Sequence, residues 1–134
     1  MGGKMTAEIE KEFCDLFLNA RYSERVFFEL TSKKKRRNGL SRFAHNCKDI
    51  LNSDRIRREC GGMLSSEETK EFLGYGKCYC ICIDKDFDGE FADINNAVEA
   101  LYGYGPYILY NAEKKKAFIE TEYDFSEHWV YFVS

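Results

Sequence analysis

The sequence predicts an α+β domain: a mostly antiparallel sheet of about five strands with helices packed on it. Three observations predict it. Apolar residues in the first half recur mainly at helical spacing, i, i+3, i+4 and i+7. In the second half they alternate or run continuously over short stretches, as strands do. The strand-like stretches bunch near the end instead of alternating with helices, which favours antiparallel pairing. The 134 residues suffice for one core, so residues 6–134 are expected as a single domain after a flexible tail, 1–5.

The elements follow in order. Thr6 can cap a helix with Glu8 and Glu10 near its positive end. Ile9, Phe13, Leu16, Phe17 and Ala20 then make the apolar stripe of a helix over residues 7–20. Residues 25–31 read as a strand, with Val26, Phe28 and Leu30 on one face. After Asn38-Gly39, a turn dipeptide, the stripe Leu40, Phe43, Ala44, Cys47 and Leu51 predicts a helix over 40–51. Residues 54–60 read as a further short helix, ended by Gly61-Gly62. Ser65 and Glu68 have the spacing of a capping box for a helix through Leu73.

Residues 77–84 read as a strand apolar on both faces. Cys78, Cys80 and Cys82 point one way, and Tyr79, Ile81 and Ile83 the other, which suits a strand covered on both sides. Asp93 caps a helix that buries Ile94, Ala97, Val98 and Leu101, and this helix can act as the crossover of a parallel strand pair. Residues 107–110 and 117–122 form a hairpin, and 128–133 a last strand.

The composition excludes several classes. With 44% hydrophobic and 32% charged residues the chain is globular in character, not disordered. No apolar run approaches the roughly 20 residues that span a bilayer, and no secretory leader is recognisable, so no membrane association is expected. Met1-Gly2-x-x-x-Thr6 fits the loose myristoylation pattern, against the simpler reading of a tail. The six cysteines are then expected as reduced thiols in the cytoplasm, most of them small buried hydrophobes.

The segment Asp84-Lys-Asp86-Phe-Asp88-Gly89 resembles the start of an EF-hand calcium loop. Carboxylates at alternate positions followed by a turn glycine are what a hard cation needs from one loop. The resemblance implies a metal site at Asp84, Asp86 and Asp88. The twelfth position, however, is Asn95 in place of the bidentate Glu, and a strand precedes the loop instead of a helix. The alternating cysteines are less apt for zinc, since thiols two apart on a strand lie roughly 6–7 Å apart. His45 and His128 are the only imidazoles, and no pattern sets either beside a nucleophile. No catalytic set, Gly-rich phosphate loop or cofactor is therefore expected.

Charge is unevenly distributed. The net charge of −3 conceals ten Lys or Arg against two Asp over residues 33–58, and eleven acids against five lysines over 74–134. Eight of nine tyrosines also follow residue 74. An acidic, tyrosine-rich surface suits a basic protein partner, as in immunity or inhibitor proteins, with Asp86, Asp88, Glu90, Tyr104, Glu120 and Glu122 as the expected contacts. The alternative is nucleic-acid binding through Lys33, Lys34, Lys35, Arg36, Arg37, Arg42, Arg55, Arg57 and Arg58. A metal-binding module at residues 84–93 is a third reading.

Overall fold

The computed structural model describes residues 2–61, 66–122 and 129–134, with side chains from residue 6 onward. Ser65 of the expected capping box, Tyr123, and the acids and His128 expected after residue 122 lie outside the described residues.

Helices α1 (Gly2–Phe17), α2 (Ala20–Thr31), α3 (Arg36–His45) and the single turn α4 (Cys47–Ile50) open the chain. A 3-10 turn, Ser53–Arg55, leads into β1 (Ile56–Gly61), and α5 (Ser66–Leu73) follows. Then come β2 (Lys77–Ile81), β3 (Phe91–Asp93), α6 (Ile94–Leu101), β4 (Tyr107–Asn111), β5 (Lys116–Glu120) and β6 (Trp129–Val133). Among the described residues six strands form one sheet, in the order β1-β6-β5-β4-β2-β3, and every pairing is antiparallel.

The α+β expectation holds, and the sheet has six strands where about five were expected. Residues 25–31 are helical, not a strand. Their buried members Val26, Glu29 and Leu30 follow i, i+3, i+4 spacing. A short apolar run satisfies either period, and here packing against α1 and α3 decides. Of residues 54–60, expected as a helix, 54 and 55 lie in the 3-10 turn and 56–60 in β1, because β6 supplies their backbone partners, with Cys60 opposite Val130. α1 starts at Gly2, five residues before the expected start and within the stretch expected as tail. The helix expected over 40–51 begins at Arg36 and breaks at Asn46. α6 does join two strands of like direction, β3 and β4, but β2 lies between them, so no parallel pair forms.

Helices cover both faces of the sheet. Tyr79, Ile81, Ile108, Tyr110, Ile119, Tyr131 and Val133 pack with Phe13, Phe17, Leu30, Phe43 and Ile50 from α1–α4. Cys78, Cys80, Tyr107, Leu109, Phe118, Val130 and Phe132 pack with Leu73, Val98 and Leu101 from α5 and α6. This explains why β2 reads as apolar on both sides. The tyrosines use their polar tips inside the fold: Tyr79 donates to Glu10, Tyr110 to Glu12 and Tyr107 to Glu120. Tyr79, Tyr107, Tyr110 and Tyr131 are thus core residues. Burial, reinforced by the neighbouring carboxylates, holds the Tyr79, Tyr107 and Tyr110 phenols well above their ordinary pKa.

Gly105, two residues before β4, lies against the end of β5. A Cβ there would meet the Thr121 carbonyl oxygen at 2.1 Å and that of Glu120 at 2.8 Å. Both neighbours are backbone and cannot swing aside. Gly105→Ala is therefore expected to destabilise the fold by about 1–3 kcal/mol, and Gly76→Ala, with open space around it, by about 1 kcal/mol from backbone strain alone. Denaturant melts of the two variants check this; equal losses would mean that β4 and β5 can part at no cost.

Candidate functional site

The loop between β2 and β3 is held by one arginine. Arg36, at the first position of α3, donates from Nε to Asp88 Oδ2 (2.8 Å) and from Nη2 to Asp88 Oδ1 (2.8 Å). The same Nη2 lies 2.8 Å from Glu10 Oε2 on α1, and Nη1 donates to the Leu30 carbonyl (2.7 Å) on α2. Tyr79 donates to Glu10 Oε2 (2.5 Å) from β2. Burial opposes the charge on Arg36, but its hydrogen bonds to Asp88 and Glu10 outweigh that and keep the guanidinium above its ordinary pKa. Asp88 Oδ1 also accepts from the Cys82 amide (3.0 Å).

This arrangement changes the reading of the acidic loop. Both oxygens of Asp88 serve Arg36, so the half-buried Asp88 carboxylate is committed to an ion pair within the fold instead of standing free for a metal or a partner as expected. Asp84 Oδ1 accepts from the Asp86 amide (2.8 Å), and its carbonyl accepts from Asp88 N (2.9 Å), which closes the turn. Gly89 has φ +75° and donates back to the Cys80 carbonyl (2.8 Å). The EF-hand-like spacing is thus met by turn chemistry and an ion pair. No group of three metal-ligating side chains occurs among the described residues.

The loop belongs to a larger surface at one end of the sheet. β2 ends there at Ile81, opposite the start of β4, and Ile83, two residues further on, borders a small hollow with Pro106, Arg37 and Glu122. Thr121 hydrogen-bonds the Trp129 amide (2.9 Å), so the β5 terminus and Trp129 stand side by side. Ile83, Tyr104 and Trp129 are the exposed large side chains of this end, with Tyr104 77% exposed. Phe91, also exposed, follows the loop at the β3 edge. From β2 to β6 this end spans three strand spacings, roughly 15 Å. Four exposed carboxylates, Asp84, Asp86, Glu90 and Glu122, stand around these side chains, with Lys85 and Arg37 as the nearby cations.

Of the six residues expected to touch a partner, Asp86, Glu90, Tyr104 and Glu122 are exposed at this end. Glu120 is not among them. It is 1% exposed and accepts from Tyr107 OH (2.6 Å) and the Gly103 amide (2.9 Å), so it holds the turn that carries Tyr104. Tyr107, in the tyrosine-rich half expected as a surface, is wholly buried. Ile83 and Trp129 escaped the sequence reading. The signal was positional: Ile83 comes near the end of one run read as a strand and Trp129 near the start of another, where a side chain has fewer neighbours.

The basic segment does not form one patch. Arg36 anchors the β2–β3 side of the molecule, whereas Arg57 and Arg58 lie on β1, at the opposite edge. Five strand spacings separate those edges, roughly 24 Å. Arg42 forks onto Glu29 (2.6 and 3.0 Å), Arg58 pairs with Glu68 (3.1 Å), and Arg57 donates to the Ser134 carbonyl (3.1 Å). Lys35 lies over the exposed Phe28 ring (5.4 Å). Lys33, Lys34, Arg37 and Arg55 have no carboxylate partner among the described residues.

All six cysteines are free thiols, and all but Cys60 are buried. Burial pushes Cys14 and Cys82 up to about 12, and it also raises Cys47. The hydrogen bond with Cys78, together with burial, raises Cys80. Such thiols are inert as nucleophiles. His45 pairs with Glu122 (3.1 Å) at the sheet end, not with a cysteine. Comparison with protein-family models, curated proteins and solved structures gives no match.

Two outcomes follow from the ion pairs. Arg36→Met leaves Glu10, 3% exposed, without its cation, and is expected to cost roughly 3 kcal/mol. Adding Glu10→Gln should recover part of that loss in a denaturant melt, and no recovery would mean that Glu10 is not the strained partner. The Arg42 hydrogen bonds hold Glu29 below its ordinary value of 4.5. A depressed folded pKa stabilises above the unfolded value, and that stabilisation is lost as pH falls from 4.5 through the folded pKa. Arg42→Met should therefore cost about 1–2 kcal/mol at neutral pH and flatten the acid limb of stability against pH. An unchanged acid limb would exclude the Arg42–Glu29 pair as its source.

Proposed function

We propose that this protein is a non-catalytic binding protein of immunity or inhibitor type, and that it docks a basic partner protein on the acidic, aromatic end of its sheet. The observation that carries the reading is the gathering of Ile83, Tyr104 and Trp129 with Asp84, Asp86, Glu90 and Glu122 at one end. Large side chains amid like charges are what a protein interface uses: the rings and aliphatics bury area, and the charges steer and select.

Two internal latches support it. Arg36 grips the acidic loop through Asp88, and Glu120 grips the Tyr104 turn through Gly103. Loops already held in place lose little freedom on binding, so less of the contact energy is lost to ordering. Six free thiols suit a reducing compartment such as the cytoplasm. No helix among the described residues is long and apolar enough to cross a membrane.

The test is capture from nuclease-treated lysate of the native host. The wild-type protein is expected to retain a basic protein. A folded Asp86→Lys, Glu90→Lys, Tyr104→Ala triple variant is expected to lose it. Equal retention by the variant, or recovery of nucleic acid alone from untreated lysate, would overturn the reading. In the second case the exposed Lys33, Lys34 and Arg37 would become the surface of interest.

A further inference from the structure

A groove of about 250 Å³ opens beside that surface, between the α3–α4 corner and the ends of β1, β5 and β6. His45, Lys48 and Asp49 line one wall, and Glu59, Glu122 and Trp129 the other. His45 pairs with Glu122 (3.1 Å) and Lys48 with Glu59 (3.2 Å). Asp49 has no cation partner among the described residues. Three carboxylates therefore share one lysine and one imidazole. Trp129, the only tryptophan of the chain, is 39% exposed here, and its ring lies 3.5 Å from where a Cβ on Gly61 would be. One side of the indole thus rests on a residue without a side chain.

We infer that this groove is the anchor pocket for an arginine side chain of the partner. The inference rests on the proposed binding function and deepens it. A guanidinium is planar, so it can lie against the indole while its N–H fork meets two carboxylates. The groove carries the surplus of negative charge that such a cation needs. The Lys48–Glu59 pair does not block it: its side chains are 69% and 34% exposed, and an ion pair that wet is readily exchanged. Glu122 borders both this groove and the hollow beside Ile83, so an arginine seated here would be continuous with the rest of the docking surface.

Trp129 makes the test direct, because it is the only tryptophan of the chain and lines this groove. The probes are a capped tripeptide with a central arginine and its citrulline twin, which has the same shape and no charge. The arginine peptide is expected to change the emission saturably and to bind at least about tenfold more tightly than the citrulline peptide. Glu59→Gln with Glu122→Gln should weaken it by a similar factor while near-ultraviolet circular dichroism stays native. Equal binding of the two peptides, or undiminished arginine binding by the double variant, would overturn the inference. Lysate capture separates it from the broader reading. A partner retained by the Glu59/Glu122 variant as by the wild type removes the groove alone. Arginine-peptide binding together with capture that ignores Asp86, Glu90 and Tyr104 removes the sheet-end reading and leaves the groove.

Discussion

Arg36 ties together five parts of the molecule. Its guanidinium reaches Glu10 on α1, the Leu30 carbonyl at the end of α2 and Asp88 in the β2–β3 loop, while Tyr79 of β2 closes the ring through Glu10. A half-buried cation between two carboxylates, with a further donor on the Leu30 carbonyl, has few alternative placements. Losing any one contact would leave a charge or a carbonyl short of a partner in a place water reaches poorly. That constraint sets where α3 begins, and α3 in turn carries Phe43 into the core and His45 to the far side of the sheet end.

The sheet divides the labour of the aromatic residues. Its strands are covered on both faces, so side chains that point up or down from them are core, including four tyrosines that looked available for recognition. Phe28 on α2 and Tyr75 ahead of β2 are exposed singly, whereas several exposed large side chains gather at the end of the sheet where β2 and β5 stop. Ile83 lies just past β2, Trp129 opens β6 and Tyr104 sits in the turn before β4, and the acidic turn between β2 and β3 opens at the same end. The proposed docking surface and the arginine pocket beside it both follow from how the covered sheet terminates.

Much of this was legible in the residues. The alternation in β2, the capped helix α6, the β4–β5 hairpin and the last strand announced themselves, because each satisfies its pattern locally. α2 and β1 did not. Val26, Phe28 and Leu30 alternate as a strand would, and nothing within residues 20–31 reveals that α1 and α3 lie against Val26 and Leu30. β1 has charged residues at three consecutive positions, and only β6 makes it a strand. The candidate site was legible in part. Exposed Asp86, Glu90, Tyr104 and Glu122 were anticipated, whereas Asp88 turned to the half-buried Arg36 and Glu120 to the buried Tyr107 hydroxyl.

The sequence by itself determined the α+β class, the reduced-thiol character and the excess of acid in the second half, since these depend on composition and on short-range periodicity. Tertiary structure alone decided which charges remain on the surface. Arg36 sits 52 positions from Asp88 and 26 from Glu10, and pairings across such distances leave no periodic trace. The sum over the basic stretch therefore describes charges that the fold scatters to opposite edges of the sheet and partly neutralises. Asp84, Asp86, Glu90 and Glu122, by contrast, come together at one end because the β2–β3 loop and the residues after β5 meet there.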